Sequence, residues 1–269
     1  MNRIALSLLV SCLALPAAAQ DFETVYQSYR DRDFAAAYEG FTRLAEEGDA
    51  DAARWLGGMY MYGTGAGEGG PEQNDAEATR AFEQAAQAGH AIAQSLLAFQ
   101  YRFGRGVEQD RAAAYRWYRA AAEQGLTRAM NDLGEHYRRG WGVEADEDEA
   151  YRWFLTSAEA GDAQGAEALA RMYRTEGLGP YDDDERAAHW FRVSAEAGWM
   201  GGMRGLGDAY RHGRGVEQDR VEALRWYVRA EELPRSGDNM GTIMRLIGEM
   251  TPAEFQQAEI EFESWVNPE

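Results

Sequence analysis

The chain offers few residue groups that could do chemistry. Its four histidines, His90, His136, His189 and His212, stand far apart in the sequence. None belongs to an H-E-x-x-H pair or to a close His/Cys/carboxylate set, so no metal site is expected and they read as surface or packing histidines. Gly65-x-Gly67-x-x-Gly70 carries the letters of a dinucleotide fingerprint. That turn cradles a pyrophosphate between a strand and a helix, and here a helical pattern precedes it, so the stretch reads as a loop with an insertion. Asp182-Asp183-Asp184-Glu185 has the charge of a calcium loop without its alternating ligands or central glycine. It reads as the acid-rich start of a helix. All 27 basic residues are arginine. Without lysine there is no S-x-x-K acylation pair and no Walker A loop, and no G-x-S-x-G elbow occurs. Carboxylate pairs can act as acid and base, but among 46 acidic residues none is singled out. No catalytic residue and no cofactor is expected.

The elements that carry these residues repeat. Phe103–Gly125 (FGRGVEQDRAAAYRWYRAAAEQG) returns as Arg139–Gly161 and again as His212–Glu232. Trp117, Trp153, Trp190 and Trp226 are separated by 36, 37 and 36 residues, a period that belongs to helical solenoids. Each unit opens with a helix marked by a Leu and a Tyr four apart, as in Leu133 and Tyr137, which therefore share a face. A Gly or Ala follows the leucine and allows close helix approach. A Gly-x-Gly-Val loop then stops the helix through positive φ, with the valine free to drop back into the core. Asn74, Asp110, Asp146, Asp183 and Asp219 stand where the next helix needs an N-cap. The second helix has an i, i+3, i+4, i+7, i+8 stripe such as Ala114, Trp117, Tyr118, Ala121 and Ala122, in which large rings alternate with alanine and interlock neighbouring units.

At these residues the chain resembles the Sel-one-like repeat (SLR) family, relatives of the tetratricopeptide repeats; Ala129–Gly161 matches the family pattern almost position for position. The resemblance covers about residues 33–233. It departs from the pattern at Ala81, which replaces the tryptophan, and at Gly177-Leu178-Gly179-Pro180 in the fourth loop. It implies an all-α fold, a right-handed α/α superhelical solenoid of SLR/TPR-like helix pairs, acting as a protein-interaction scaffold. Bacterial members are often exported and are linked to envelope signalling, exopolysaccharide assembly and host interaction. Some cysteine-rich members are linked to β-lactam binding or hydrolysis, through disulfide-paired repeats. Cys12 is the only cysteine here, so that alternative is disfavoured.

Residues 1–19 read as a secretory signal: Asn2-Arg3, an apolar run Ile4–Leu15, and Ala17-Ala18-Ala19 before a cut at Gln20. The run is shorter than the ~20 residues that span a bilayer. Residues 20–50 are expected to form an N-terminal half-repeat, 51–233 five repeats and 234–269 a C-terminal helical cap. A net charge of −19 disfavours nucleic acid and anionic lipid. The expected reading is an exported, periplasmic, non-enzymatic scaffold with a protein or peptide partner. A β-lactam-active enzyme and a secreted host-interaction factor are the alternatives. Candidate partner contacts are Gln100, Glu135, His136 and Asp208 on a groove of first helices. Trp141 in a Gly-x-Gly loop and Trp199 after Gly198 are added because the repeat does not demand a tryptophan at either place. The insertion Ala66–Gln73 is a further candidate contact loop.

Overall fold

The computed structural model describes residues 17–174, 181–231 and 240–266, with side chains over 21–174, 181–231 and 240–262. Most of the expected export segment, the Gly177–Pro180 loop and the turn after Pro234 lie outside the described residues. Every regular element among the described residues is a helix. The chain divides into two compact units, Met1–Gln109 and Asp110–Glu269.

The first unit contains α1 (Ala17–Arg30), α2 (Phe34–Glu46), α3 (Ala50–Tyr62), α4 (Asp75–Gln87) and α5 (Ala91–Phe103), each packed on the next. The second contains α6 (Arg111–Glu123), α7 (Thr127–Arg139), α8 (Glu147–Glu159), α9 (Ala163–Tyr173), α10 (Asp184–Glu196), α11 (Met200–His212), α12 (Arg220–Glu231), α13 (Met240–Glu249) and α14 (Pro252–Val266). Here too, consecutive helices from α6 to α12 pack in pairs. α7, α9 and α11 also touch one another as a row, and α13 and α14 close onto α12.

The local signals act as their chemistry requires. Asp146 Oδ1 accepts from the Glu149 amide at 2.9 Å and Asp183 Oδ1 from the Arg186 amide at 2.9 Å. At Thr251 the capping box is reciprocal: the Thr251 amide donates to Glu254 at 2.6 Å and the Glu254 amide to Thr251 Oγ1 at 3.3 Å. Gly140 ends α7 in the left-handed region. Gly142, at φ 72°, lies against the first turn of α6, where a Cβ would collide with the Arg111 carbonyl. The mid-helix Gly134 has its packing reason as well: a Cβ there would come within 2.6 Å of the Phe154 ring.

The core differs from the sequence expectation in one respect. The periodic Trp117, Trp153 and Trp190 are only partly buried, and the loop valines are half-exposed. The aromatic one residue later fills the interior: Tyr118, Phe154, Phe191 and Tyr227 are at most 2% exposed. The neighbouring ring points directly between the helices, and the tryptophan lies at the margin of the same stripe. The insertion Ala66–Gln73 folds back in a tight turn with a bridge between Ala66 and Gly70. Gly65 and Gly69 lie so close to Phe34 and Ala35 that no Cβ would fit, so the loop is docked on the start of α2.

Candidate functional site

One stripe of α7 and one of α9 face an opening in the second unit. On α7 that stripe is Asn131, Glu135, Arg138 and Arg139; on α9 it is Gln164, Glu167, Ala168 and Arg171. Together with Trp199, the N-cap of α11, these residues line a cavity of about 390 Å³ in the second unit. The volume lies in the ~300–1,000 Å³ range of ligand sites.

The walls are charged and internally paired. Glu135 bonds both Arg138 at 2.9 Å and Arg139 at 2.6 Å. Burial opposes its charge, but the two guanidinium hydrogen bonds outweigh that, and its carboxyl is held below the usual carboxylate range. Glu167 joins α9 to α11, accepting from Trp199 Nε1 at 2.6 Å while pairing with Arg171 at 2.6 Å. The arginines keep 39–66% of their side chains exposed. Such pairs contribute about 0–1 kcal/mol each, so a ligand can exchange partners with them at small cost. Asn131 Oδ1 is buried and meets no donor among the described residues. No serine, cysteine or histidine lines the cavity. An ionised Glu135 is also poorly suited to act as a general acid.

The structure brings two of the six candidates, Glu135 and Trp199, into this cavity. Gln100 and His136 are corrections: both are fully buried and line no open groove. Gln100 donates to Thr79 Oγ1 at 3.3 Å, and His136 Nδ1 lies 2.6 Å from the Trp141 carbonyl oxygen. Their counterparts in sister units are Met59, Met172 and Ala209, all buried, so repeat register marked this as a core position that two units fill with polar residues. Asp208 accepts the Tyr227 hydroxyl at 2.6 Å and pairs with Arg174 at 3.5 Å; the opening beside it is about 10 Å³. Trp141 packs back on the protein between Arg111 and Arg139, at 5.2 and 4.9 Å, with its ring edge-on to His136. The ring remains partly exposed.

Sequence reasoning missed Asn131, Arg138, Arg139, Gln164, Glu167 and Arg171. It also missed a row of hydroxyl pairs, Tyr38–Tyr60, Tyr115–Tyr137 and Tyr151–Tyr173, each 22 residues apart and 2.8 Å long. Ala188 stands where the next tyrosine of the second unit would be, and Tyr210 takes a bond from Arg192 at 2.9 Å instead.

Paired helices stacked in register, with a side-chain-lined cavity on the first-helix row, define an all-α repeat protein of the solenoid class. The chain belongs to the Sel1 repeat family: the family model matches residues 50–90, 91–126, 127–162, 163–199 and 202–233. Sel1 repeats commonly mediate protein interactions, and proteins built from them are typically non-catalytic. A Sel1 repeat protein from Oxalobacter formigenes is similar at 27% identity, with 88% of this chain and 97% of that chain covered and a TM-score of 0.74. The fold is shared at 23% identity with c5321, a protective antigen of uropathogenic Escherichia coli (93% and 68% covered, TM-score 0.56). It is shared at 14% identity with the immunity protein Pa5087 of Pseudomonas aeruginosa (84% of each chain, TM-score 0.52). No curated protein matches the chain.

Proposed function

We propose that this chain is an exported, non-enzymatic scaffold of the bacterial envelope that holds a protein or peptide partner in the cavity of its second unit. The cavity carries the proposal. It combines exchangeable Arg–Glu pairs with a tryptophan wall, which suit a polypeptide with charged side chains. The lining holds no serine, cysteine or histidine, and its carboxylates Glu135 and Glu167 are engaged by arginines, which favours binding over turnover. The signal-like segment 1–19 supports export and a periplasmic location.

In-cell crosslinking and pull-down of the exported protein tests this reading. A dominant partner captured by the parent chain should be lost with the Glu135→Ala/Trp199→Ala double variant and retained with Asp182→Ala, which changes an exposed residue absent from the cavity wall. Equal capture by all three chains removes the cavity from the function. Failure to capture any partner, where a known envelope complex is recovered in parallel, removes the scaffold reading itself.

A further inference from the structure

In the first unit the corresponding stripe has a different character. Repeat register aligns Gly58 and Phe99 with Glu135, Arg171 and Asp208, and Trp55 and Leu96 with Asp132 and Ala168. Thus α3 and α5 present Trp55, Gly58, Leu96 and Phe99 where α7 presents Asp132 and Glu135 and α9 presents Ala168 and Arg171. Tyr29, Trp55, Gly58, Tyr62 and Leu96 line a second cavity of about 200 Å³. Tyr62 stays 76% exposed at its rim, and Ile92, one turn before Leu96, is 45% exposed. Gly58 opens the floor: a Cβ there would meet nothing within 4 Å.

Arg54 also lines this cavity. Its guanidinium lies 3.9 Å from the Trp55 ring centroid. Its Nε is buried without an acceptor, and no ion pair engages it among the described residues. Burial pulls its pKa down, against the nearby charge of Asp51. Asp51 itself is taken by His90 Nε2 at 3.0 Å. The site therefore combines an apolar hollow with a cation that stacks on Trp55 and has no carboxylate within ion-pair distance among the described residues. Arg54 disfavours a cationic occupant. The volume is below the ~300 Å³ at which small-molecule sites begin, and suits one large side chain as an anchor.

We infer that this face of the first unit receives a partner polypeptide through one large apolar side chain seated between Trp55, Tyr62 and Leu96, with an aspartate or glutamate next to it in the partner answering Arg54. This rests on the scaffold reading and specifies what that scaffold selects at its first unit.

The test uses the purified full chain, isotope-labelled, with the blocked peptide Ser-Gly-Phe-Asp-Gly-Ser as probe. Resonances of the Gly58 amide and the Trp55 indole should shift on titration. Affinity should fall about tenfold when the peptide Phe becomes Ala, and about threefold when its Asp becomes Asn. Gly58→Leu should fill the hollow and abolish the shifts with Tm unchanged or raised, since the new side chain enters open space. Arg54→Gln should erase the difference between the Asp and Asn peptides. No shift at Gly58 and Trp55 up to about 10 mM peptide overturns the inference, as does unchanged binding by Gly58→Leu. Shifts produced by laurate but not by the peptides would assign the hollow to a free acyl carboxylate and overturn it equally. The Glu135/Trp199 pull-down is scored separately on the second unit, so a negative result here is distinguishable from failure of the scaffold itself.

Discussion

Gln100 and His136 show how a polar residue at one register position can mislead. On an isolated helix each reads as a groove contact, whereas in the stack each replaces a buried methionine or alanine of its sister units and meets a partner inside the protein. The tyrosine pairs belong to the same scale. Tyr137 is pushed up to about 12, by burial first and then by the Tyr115 hydroxyl. Tyr151 is also pushed up to about 12, by its bond with Tyr173 and then by burial. An unfolded tyrosine loses its proton near pH ~10. The folded chain therefore keeps these protons longer. The associated stabilisation is complete below pH ~10 and is lost as pH rises from there through about 12. Ultraviolet titration of phenolate should show late-ionising tyrosines, fewer of them in Tyr137→Phe and Tyr151→Phe, and the urea midpoint should drop over the same pH window. Each substitution should cost about 1 kcal/mol at neutral pH, the usual net value of one hydrogen bond.

At the scale of the element, the helices and their ends follow from short-range chemistry. Caps at Asp146, Asp183 and Thr251 and the left-handed stop at Gly140 form where the sequence places them, because a cap is satisfied within three residues of itself. The reason for a glycine is not always local. Gly161 and Gly142 both have positive φ, at 87° and 72°, but a Cβ on Gly161 meets nothing within 4 Å while one on Gly142 strikes the backbone of α6. Gly161→Ala should therefore cost about 1 kcal/mol of left-handed strain in urea unfolding. Gly142→Ala should cost at least about twice that, because a neighbouring helix must also shift. Equal losses would show that the loop yields more easily than its packing implies. The insertion Ala66–Gln73 carries a similar lesson: Gly69, and Gly65 just before the insertion, are explained by Ala35 and Phe34, more than thirty residues away in sequence.

At the scale of the molecule, stacking turns helix faces into surfaces. The second unit's charged cavity and the first unit's apolar hollow occupy the same register of the repeat, so the function proposed here rests on how individual residues vary along a constant frame. The charged cavity has no serine or cysteine among its lining residues to be acylated, so purified protein should turn over a chromogenic β-lactam no faster than buffer does. Turnover that survives Glu135→Ala/Trp199→Ala would locate an activity elsewhere on the chain. Export makes a second prediction at this scale: intact mass of the protein recovered from the periplasmic fraction should correspond to a chain beginning at Gln20. A full-length mass, or recovery only from the cytoplasm, would remove the envelope assignment.

The sequence by itself determined the helix pairs, their period, most of their caps and the family, because a repeated pattern of apolar spacing, glycine stops and capping residues is written in neighbours along the chain. The tertiary structure decided which ring is core, with Phe154 and Tyr118 inside and Trp153 and Trp117 at the margin. It also decided which polar residues face an opening, with Glu135, Glu167 and Trp199 meeting there while Gln100 and His136 are sealed. Residues 32 positions apart, such as Glu167 and Trp199, become neighbours only when one helix pair stacks on the next, and no local pattern encodes that approach.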